Sequence, residues 1–149
     1  TSGEAQYDGT TSVIPGARLE YVTISPYAEF FNNGQQVAQI FRMMADINNY
    51  PIYMHCTGGA DRTGTVAFML NALLGVGYDE LIQDYEFTTF SIYGARDTQS
   101  GTYASKFMGM ENMLYYVEGK TLSERVENYL LRVGLTPEEI NNIKTIMKG

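Results

Sequence analysis

A short apolar run that leads into a glycine-bearing loop and then into an apolar helix most constrains how this sequence can fold. Residues 52–54 are short and mostly apolar, as in a buried strand. Residues 63–74 follow with apolar side chains at most positions, which predicts a helix that is central and buried. The strand and the helix would therefore hold residues 55–64 between them as a loop.

The rest of the chain alternates between predicted strand and helix and then becomes helical. Residues 18–24 alternate and carry β-forming side chains, which predicts a second strand. Residues 35–47 have apolar side chains at helical spacing. Three more helices are predicted over residues 78–90, 121–134 and 136–147, and a polar surface loop over residues 94–106. The pattern predicts an α/β fold with a parallel-type central sheet flanked by helices and a helix-rich C-terminal half.

The composition fits one folded domain and argues against several kinds of partner. Of the 149 residues, 44% are apolar, so one domain over residues 1–149 can bury a core. The net charge is −7, with 10 Lys and Arg against 17 Asp and Glu, whereas proteins that bind nucleic acid or anionic membranes carry a basic face. No apolar run approaches the roughly 20 residues of a membrane span. The single His and single Cys exclude a His-rich metal site and an internal disulfide.

The loop itself has the features of a phosphate-binding site with a nucleophile. Successive backbone N–H groups between a strand and a helix N-terminus attract an anion, and Gly58 and Gly59 allow the backbone to approach it closely. Arg62 can bind two phosphate oxygens with its planar guanidinium. The same positive field would favour the thiolate form of Cys56. The loop therefore predicts one set of dipoles that both activates a nucleophile and binds its electrophile.

This loop resembles the signature of the cysteine-dependent protein tyrosine and dual-specificity phosphatase superfamily, His-Cys-x5-Arg-(Ser/Thr). Its closer likeness is to a bacterial branch whose loop is Cys-x-x-Gly-x-Asp-Arg-Thr-Gly. The likeness extends to Leu74-Gly75-Val76, to Asp84-Tyr85 and to residues 129–140. The loop positions that match the signature are His55, Cys56, Gly59, Arg62 and Thr63.

The resemblance implies a two-step hydrolysis of a phosphorylated protein or a small phosphate ester. Cys56 would attack phosphorus and form a phosphocysteine, and Thr63 would help the sulfur leave in the second step. His55 would orient the loop through hydrogen bonds. No metal or organic cofactor would be needed. The phosphate would be bound by the loop residues Thr57, Gly58, Gly59, Ala60, Asp61 and Arg62.

Two carboxylates are candidates for the general acid that protonates the leaving oxygen. Many relatives use an Asp on a separate upstream loop, and Glu29 is the carboxylate nearest to that place. Asp61 lies inside the loop beside Arg62, and we favour it over Glu29. Three tyrosines are further candidates to line the entrance of the site: Tyr27, Tyr93 and Tyr103.

The relatives of this branch also carry more chain before the point where this sequence begins. Only two strands are evident here, so the sheet looks incomplete in this chain alone. We therefore expect the chain to be the C-terminal portion of a longer phosphatase domain. A second chain or an N-terminal fragment would complete the sheet.

Other functions remain open from the sequence. An inositol-phosphate or phosphoinositide phosphatase would keep the fold, although lipid-directed relatives often have Lys where this loop has Ala60. A non-catalytic phosphate-binding module would usually lack the nucleophile or the guanidinium, and both Cys56 and Arg62 are present. Rhodanese-like sulfur transfer also uses a loop cysteine, but the pairing of Arg62 with Thr63 favours phosphate.

Overall fold

The fold is built from helices. The computed structural model describes residue 12 and residues 14–91 and 94–149. The α-helices of this part are α1 (Gly34–Met44), α2 (Arg62–Leu73), α3 (Tyr78–Phe87), α4 (Gly101–Tyr115), α5 (Leu122–Arg132) and α6 (Pro137–Lys148). Short 3-10 helices span Tyr27–Asn32, Ile47–Asn49 and Thr88–Phe90. Within the described ranges, no helix is both long enough and apolar enough to cross a membrane.

The prediction of a parallel-type central sheet is wrong. The described residues contain no strand, and residues 18–24 and 51–55 lie outside any regular element. Alternation and β-forming side chains describe how a segment fits against neighbouring strands, but a strand also needs another segment beside it to share backbone hydrogen bonds. Neither segment has such a neighbour among the described residues. Tyr53, predicted to lie in a buried strand, is 79% exposed.

Helix α2 lies at the centre of the core, as the sequence predicts. It packs against α3, α5 and the 3-10 helix Tyr27–Asn32. Apolar side chains point from it in several directions because it is covered on several sides. Gly75, at φ 83°, ends the helix by allowing the N–H of Val76 to bond to the carbonyl of Asn71 at 3.0 Å. The buried residues of α2 are Thr65, Val66, Phe68, Met69, Ala72 and Leu73.

Both C-terminal helices begin with the capping boxes that the sequence predicts. In α5, the Thr121 side chain accepts from the N–H of Glu124, whose carboxylate accepts in return from the N-cap backbone. Thr136 and Glu139 make the same reciprocal pair at the start of α6. Gly134, at φ 106°, closes α5. These ends were predictable because each depends only on residues three or four positions apart.

Helix α4 was not predicted, and its first residues overlap the surface loop expected at 94–106. Its sequence carries glycines and no acidic residue in its first turn, so local propensity is weak. Tertiary packing stabilises it instead. Ala104, Phe107, Met110 and Leu114 are buried, and the helix lies against the 3-10 helix Tyr27–Asn32. A side chain at Gly109 would meet Ala28 at 3.7 Å, which shows how close the two elements come.

Candidate active site

The loop before α2 folds around the sulfur of Cys56. Gly59 has φ 71°, a conformation that residues with a Cβ adopt rarely, so this turn of the loop favours glycine. The backbone N–H groups of Gly58, Gly59 and Thr63 are hydrogen-bond donors to the sulfur. The last of these belongs to the first turn of α2, where N–H groups have no partner within the helix. The sequence thus places a ring of donors around the expected nucleophile.

These donors favour the thiolate. Burial raises the pKa of Cys56, but the polar contacts of its sulfur with the Thr63 hydroxyl and with the backbone N–H groups of Thr63, Gly58 and Gly59 outweigh burial, so the pKa lies below its ordinary value. The Thr63 hydroxyl is buried, and its contact with the sulfur falls short of full hydrogen-bond geometry. Cys56 is half-buried, so its sulfur is also accessible from the cavity.

A cavity of about 210 Å³ opens over the sulfur. On the loop side, the terminal nitrogen of Arg62 donates to Thr57 Oγ1 at 3.1 Å. This contact holds the guanidinium beside the opening, where it can bind phosphate oxygens with two parallel N–H groups. The cavity is smaller than the roughly 300–1,000 Å³ of drug-sized pockets. Its lining residues are Cys56, Thr57, Gly58, Asp61, Arg62, Arg96 and Tyr103.

Asp61 is the carboxylate of this cavity, and the side chains of Tyr27 and Arg96 contact it. The Tyr27 hydroxyl donates to Asp61 Oδ1 at 2.5 Å, and the Tyr85 hydroxyl lies 2.6 Å from that of Tyr27. Arg96 Nε lies 3.5 Å from the same carboxylate oxygen. Although Asp61 is the N-cap of α2, its side chain makes no capping hydrogen bond. The carboxylate is thus directed to the tyrosines, the arginine and the cavity.

Tyr27 reaches Asp61 from a strained backbone. It is the described non-glycine residue with a positive φ, 58°, and such a conformation costs on the order of 1–3 kcal/mol. Its backbone N–H donates to Thr65 Oγ1 at 3.0 Å, and that hydroxyl donates to the carbonyl of Asp61 at 2.8 Å. Tyr27 is therefore fixed to the first turn of α2 at both its backbone and its hydroxyl.

The opposite wall comes from the segment before α4 and from α4 itself. Arg96 is only 3% exposed, and its guanidinium lies 3.8 Å from the centre of the Tyr103 ring. Its backbone N–H donates to Thr89 Oγ1 at 2.9 Å, which ties this wall to the 3-10 helix after α3. The Lys106 ammonium lies 5.1 Å from the same Tyr103 ring. Two guanidiniums, those of Arg62 and Arg96, therefore border the cavity of an acidic protein.

Comparison with known proteins agrees with this arrangement. The sequence model described as "Tyrosine phosphatase family" matches residues 16–148. The chain belongs to the tyrosine phosphatase family. A protein named "Tyrosine-protein phosphatase" from Nostoc commune is 32% identical to this family member over 69 residues, which are 46% of this chain and 24% of the relative. The alignment thus covers about a quarter of that relative. No solved structure matches the chain significantly.

In the folded chain of this family member, some of the predicted site residues lie together at the cavity and others lie away from it. Ala60 is buried within the loop, at 1% exposure. His55 is exposed, and its ring stacks on Tyr53 with 5.5 Å between centroids. No hydrogen bond from its side chain is seen to any described residue. Glu29 is exposed in the 3-10 helix Tyr27–Asn32 and does not line the cavity. Tyr93 lies outside the described residues.

In this tyrosine phosphatase family member, the position of Arg96 in the cavity and the contact of Tyr85 with Tyr27 were not predictable from the sequence. Tyr103 lines the cavity, as proposed for the entrance, while Tyr27 contacts Asp61 from the side of the core. Arg96 lies 35 positions after Asp61 in the sequence, so no local sequence motif connects it to the loop. Among the described residues, no three His, Cys, Asp or Glu side chains lie close enough together to hold a metal ion.

Proposed function

We propose that this chain hydrolyses phosphate monoesters, with phosphotyrosine and phosphoserine or phosphothreonine in proteins as the substrate class, through a phosphocysteine at Cys56. The single observation that carries the proposal is the ring of N–H donors that lowers the pKa of Cys56 beside the Arg62 guanidinium. The thiolate is the nucleophilic form of cysteine. Family membership supports the same reaction.

In the first step, the phosphoryl group enters the cavity above Sγ of Cys56. The loop N–H groups and the Arg62 guanidinium bind its equatorial oxygens and stabilise their charge as the transition state forms. The S–P bond forms while the bond from phosphorus to the leaving oxygen breaks. Asp61 gives its proton to that oxygen, so that the alcohol leaves neutral. The enzyme is left with a phosphocysteine and an Asp61 carboxylate.

In the second step, water attacks the phosphocysteine. The Asp61 carboxylate accepts a proton from that water, the O–P bond forms, and the S–P bond breaks. The departing sulfur becomes a thiolate again, stabilised by the N–H groups of Gly58, Gly59 and Thr63 and by the Thr63 hydroxyl. Inorganic phosphate is released, and both Cys56 and Asp61 return to their starting states. The cycle requires no metal or organic cofactor.

The size and charge of the site favour a single phosphoryl group on a protein side chain. A cavity of about 210 Å³ accommodates a phosphoryl group and its nearest atoms rather than a polyphosphorylated ring. The loop has Ala60 instead of a lysine that would attract a polyanion. The alternative is that the chain is an inositol-phosphate or phosphoinositide phosphatase. A kcat/KM higher for inositol hexakisphosphate or a phosphoinositide than for a phosphotyrosine peptide would replace the proposal with it.

Alkylation of Cys56 tests the observation on which the proposal depends. We expect iodoacetamide to modify Cys56 rapidly at pH values below the ordinary thiol pKa of about 8.5, because the site's donors keep the thiolate form as the pH falls. Inorganic phosphate should slow the modification by occupying the loop. The rate is measured by intact mass against pH. Slow alkylation that rises only near the ordinary pKa, without protection by phosphate, would contradict the proposal.

We also propose that an extended polypeptide segment, from a second chain or from another part of the protein, pairs with residues 51–55. Ile52 is 37% exposed and Tyr53 79% exposed, and the backbone of this segment makes no hydrogen bond to the described residues. The N–H groups of residues 52–55 and the C=O groups of this segment have no partner in the described part of the chain and are available to an added strand. Amide hydrogen exchange at residues 52–55 should be fast in this chain alone and slow with the segment bound. Equal exchange in both would exclude the pairing.

A further inference from the structure

One hydroxyl and one guanidinium contact the same oxygen of Asp61, and a second hydroxyl lies behind the first. Tyr27 donates to Oδ1 at 2.5 Å, the Tyr85 hydroxyl lies 2.6 Å from that of Tyr27, and Arg96 Nε lies 3.5 Å from Oδ1. Each tyrosine hydroxyl has a single proton to donate. Since the proton of Tyr27 is directed to Asp61, Tyr85 must donate to Tyr27. The hydrogen bonds therefore run in one direction, from Tyr85 through Tyr27 to Asp61.

We infer that Tyr27 is a positioning residue for Asp61: it occupies Oδ1, so that Oδ2 carries the acid proton and delivers it to the leaving oxygen. The inference rests on the proposed function, in which Asp61 is the general acid. In the first step, the proton moves from Oδ2 to the leaving oxygen as the bond from that oxygen to phosphorus breaks. In the second step, Oδ2 takes a proton from the attacking water. Oδ1 accepts from Tyr27 throughout, so the carboxylate keeps one orientation.

The surroundings keep Tyr27 a donor. Tyr27 and Tyr85 are 3% and 4% exposed, and burial raises the pKa of both hydroxyls above the ordinary tyrosine value. Both therefore keep their protons at neutral pH. The rings meet edge to face, with 6.2 Å between centroids, which limits rotation of either ring. The orientation of Oδ1 is thus set by buried groups rather than by solvent.

The backbone of Tyr27 points to the same role. A bulky residue at φ 58° is strained, and such strain persists only where surrounding contacts fix it. The Thr65 hydroxyl provides that contact, since it accepts from the Tyr27 N–H and donates to the Asp61 carbonyl. One hydroxyl on α2 thereby sets the distance between the backbones of Tyr27 and Asp61. The fold keeps an unfavourable backbone conformation at the residue that orients the acid.

Tyr27→Phe tests the inference because it removes the hydroxyl and keeps the ring. With a phosphotyrosine peptide, we expect kcat to fall roughly tenfold and KM to stay within about twofold, since the acid contributes to the transition state and not to binding. With an activated aryl phosphate, whose leaving group needs no proton, kcat should change by less than about twofold. Tyr85→Phe should act in the same direction with a smaller effect.

The matched control is Tyr50→Phe. The Tyr50 hydroxyl donates to the carbonyl of Met44 at 2.8 Å and does not contact the carboxylate. The Tyr50→Phe variant also loses one tyrosine hydrogen bond. It should leave unchanged the ratio of kcat for the phosphotyrosine peptide to kcat for the activated aryl phosphate. Thermal unfolding of each variant separates loss of stability from loss of acid function. If Tyr27→Phe lowered kcat equally on both substrates while it stayed folded, the hydroxyl would have only a structural role and the inference would be overturned.

A double-mutant cycle with Asp61→Asn gives the second test. If Tyr27 acts through Asp61, Tyr27→Phe should have almost no further effect on phosphotyrosine turnover once Asp61 is replaced. Additive losses would overturn the inference. Such a result would leave the proposed function intact provided that Cys56→Ser still abolishes turnover. Turnover that survives Cys56→Ser would instead overturn the proposed function and this inference with it.

Discussion

Replacing Cys56 with serine should lower kcat for every phosphate ester that the protein hydrolyses by at least about a thousandfold. A serine hydroxyl stays protonated at neutral pH, and the donors that lower the pKa of the Cys56 thiol cannot ionise a group so much more basic. The N–H groups and Arg62 would still be present, so the variant should bind substrate without turning it over. Steady-state kinetics with a phosphotyrosine peptide and an activated aryl phosphate gives the measurement.

Binding and trapping supply the controls for this variant. Inorganic phosphate should bind Cys56→Ser about as well as the natural protein, by calorimetry, because the loop donors and Arg62 are unchanged. In the natural protein, a rapid acid quench during turnover should show a mass increase of one phosphoryl group on the peptide that contains Cys56. Turnover that persists in the serine variant at more than a tenth of the natural rate would rule out a phosphocysteine.

Asp61→Asn should have the second largest effect, and the effect should depend on the leaving group. With a phosphotyrosine peptide, kcat should fall roughly a hundredfold, which is within the usual contribution of a general acid. With an activated aryl phosphate, the loss should stay within about threefold. Asparagine keeps the shape of the side chain and an oxygen that can accept from Tyr27, so the cavity wall should change little.

Glu29→Gln is the matched control, since Glu29 is the other carboxylate that the sequence offers as the acid. It is exposed and does not line the cavity, so its replacement should leave both rates unchanged. Equal losses on both substrates in Asp61→Asn would assign Asp61 a binding role instead of acid catalysis. A leaving-group effect that appears in Glu29→Gln, and not in Asp61→Asn, would exchange the roles of the two residues.

Structural features that depend on residues close together in the sequence were predicted correctly, and those that depend on distant residues were not. The capping boxes at Thr121 and Thr136 and the buried helix α2 were predictable because each depends on neighbours within a few positions. The sheet was predicted wrongly because pairing depends on a distant segment, and alternation in residues 18–24 carries no information about one. Helix α4 was missed because its stability comes from contact with the 3-10 helix Tyr27–Asn32.

The residues of the candidate site show the same difference between local and long-range features. The loop from Cys56 to Thr63 could be predicted in advance, since its donors, glycines and guanidinium are contiguous in the sequence. The groups around Asp61 could not be, because Tyr27 and Arg96 contact it, and Tyr85 contacts Tyr27, from three separate parts of the chain. The sequence makes Tyr27 a candidate for the entrance of the site, and the structure places its hydroxyl against the Asp61 carboxylate instead. Only folding of the chain brings these residues together.

The N–H donors to the Cys56 sulfur belong partly to α2, a helix with six buried residues, and this limits how such a protein can diversify. Substitutions along α2 that shift Val66 or Met69 would move the N–H of Thr63 with them, so natural variation there is constrained by chemistry as well as by stability. The far wall of the cavity, at Arg96 and Tyr103, comes from a separate part of the chain, and the Arg96 side chain contacts Asp61. Because Arg96 also contacts Asp61, a change at Tyr103 can reshape that wall with less effect on the carboxylate than a change at Arg96.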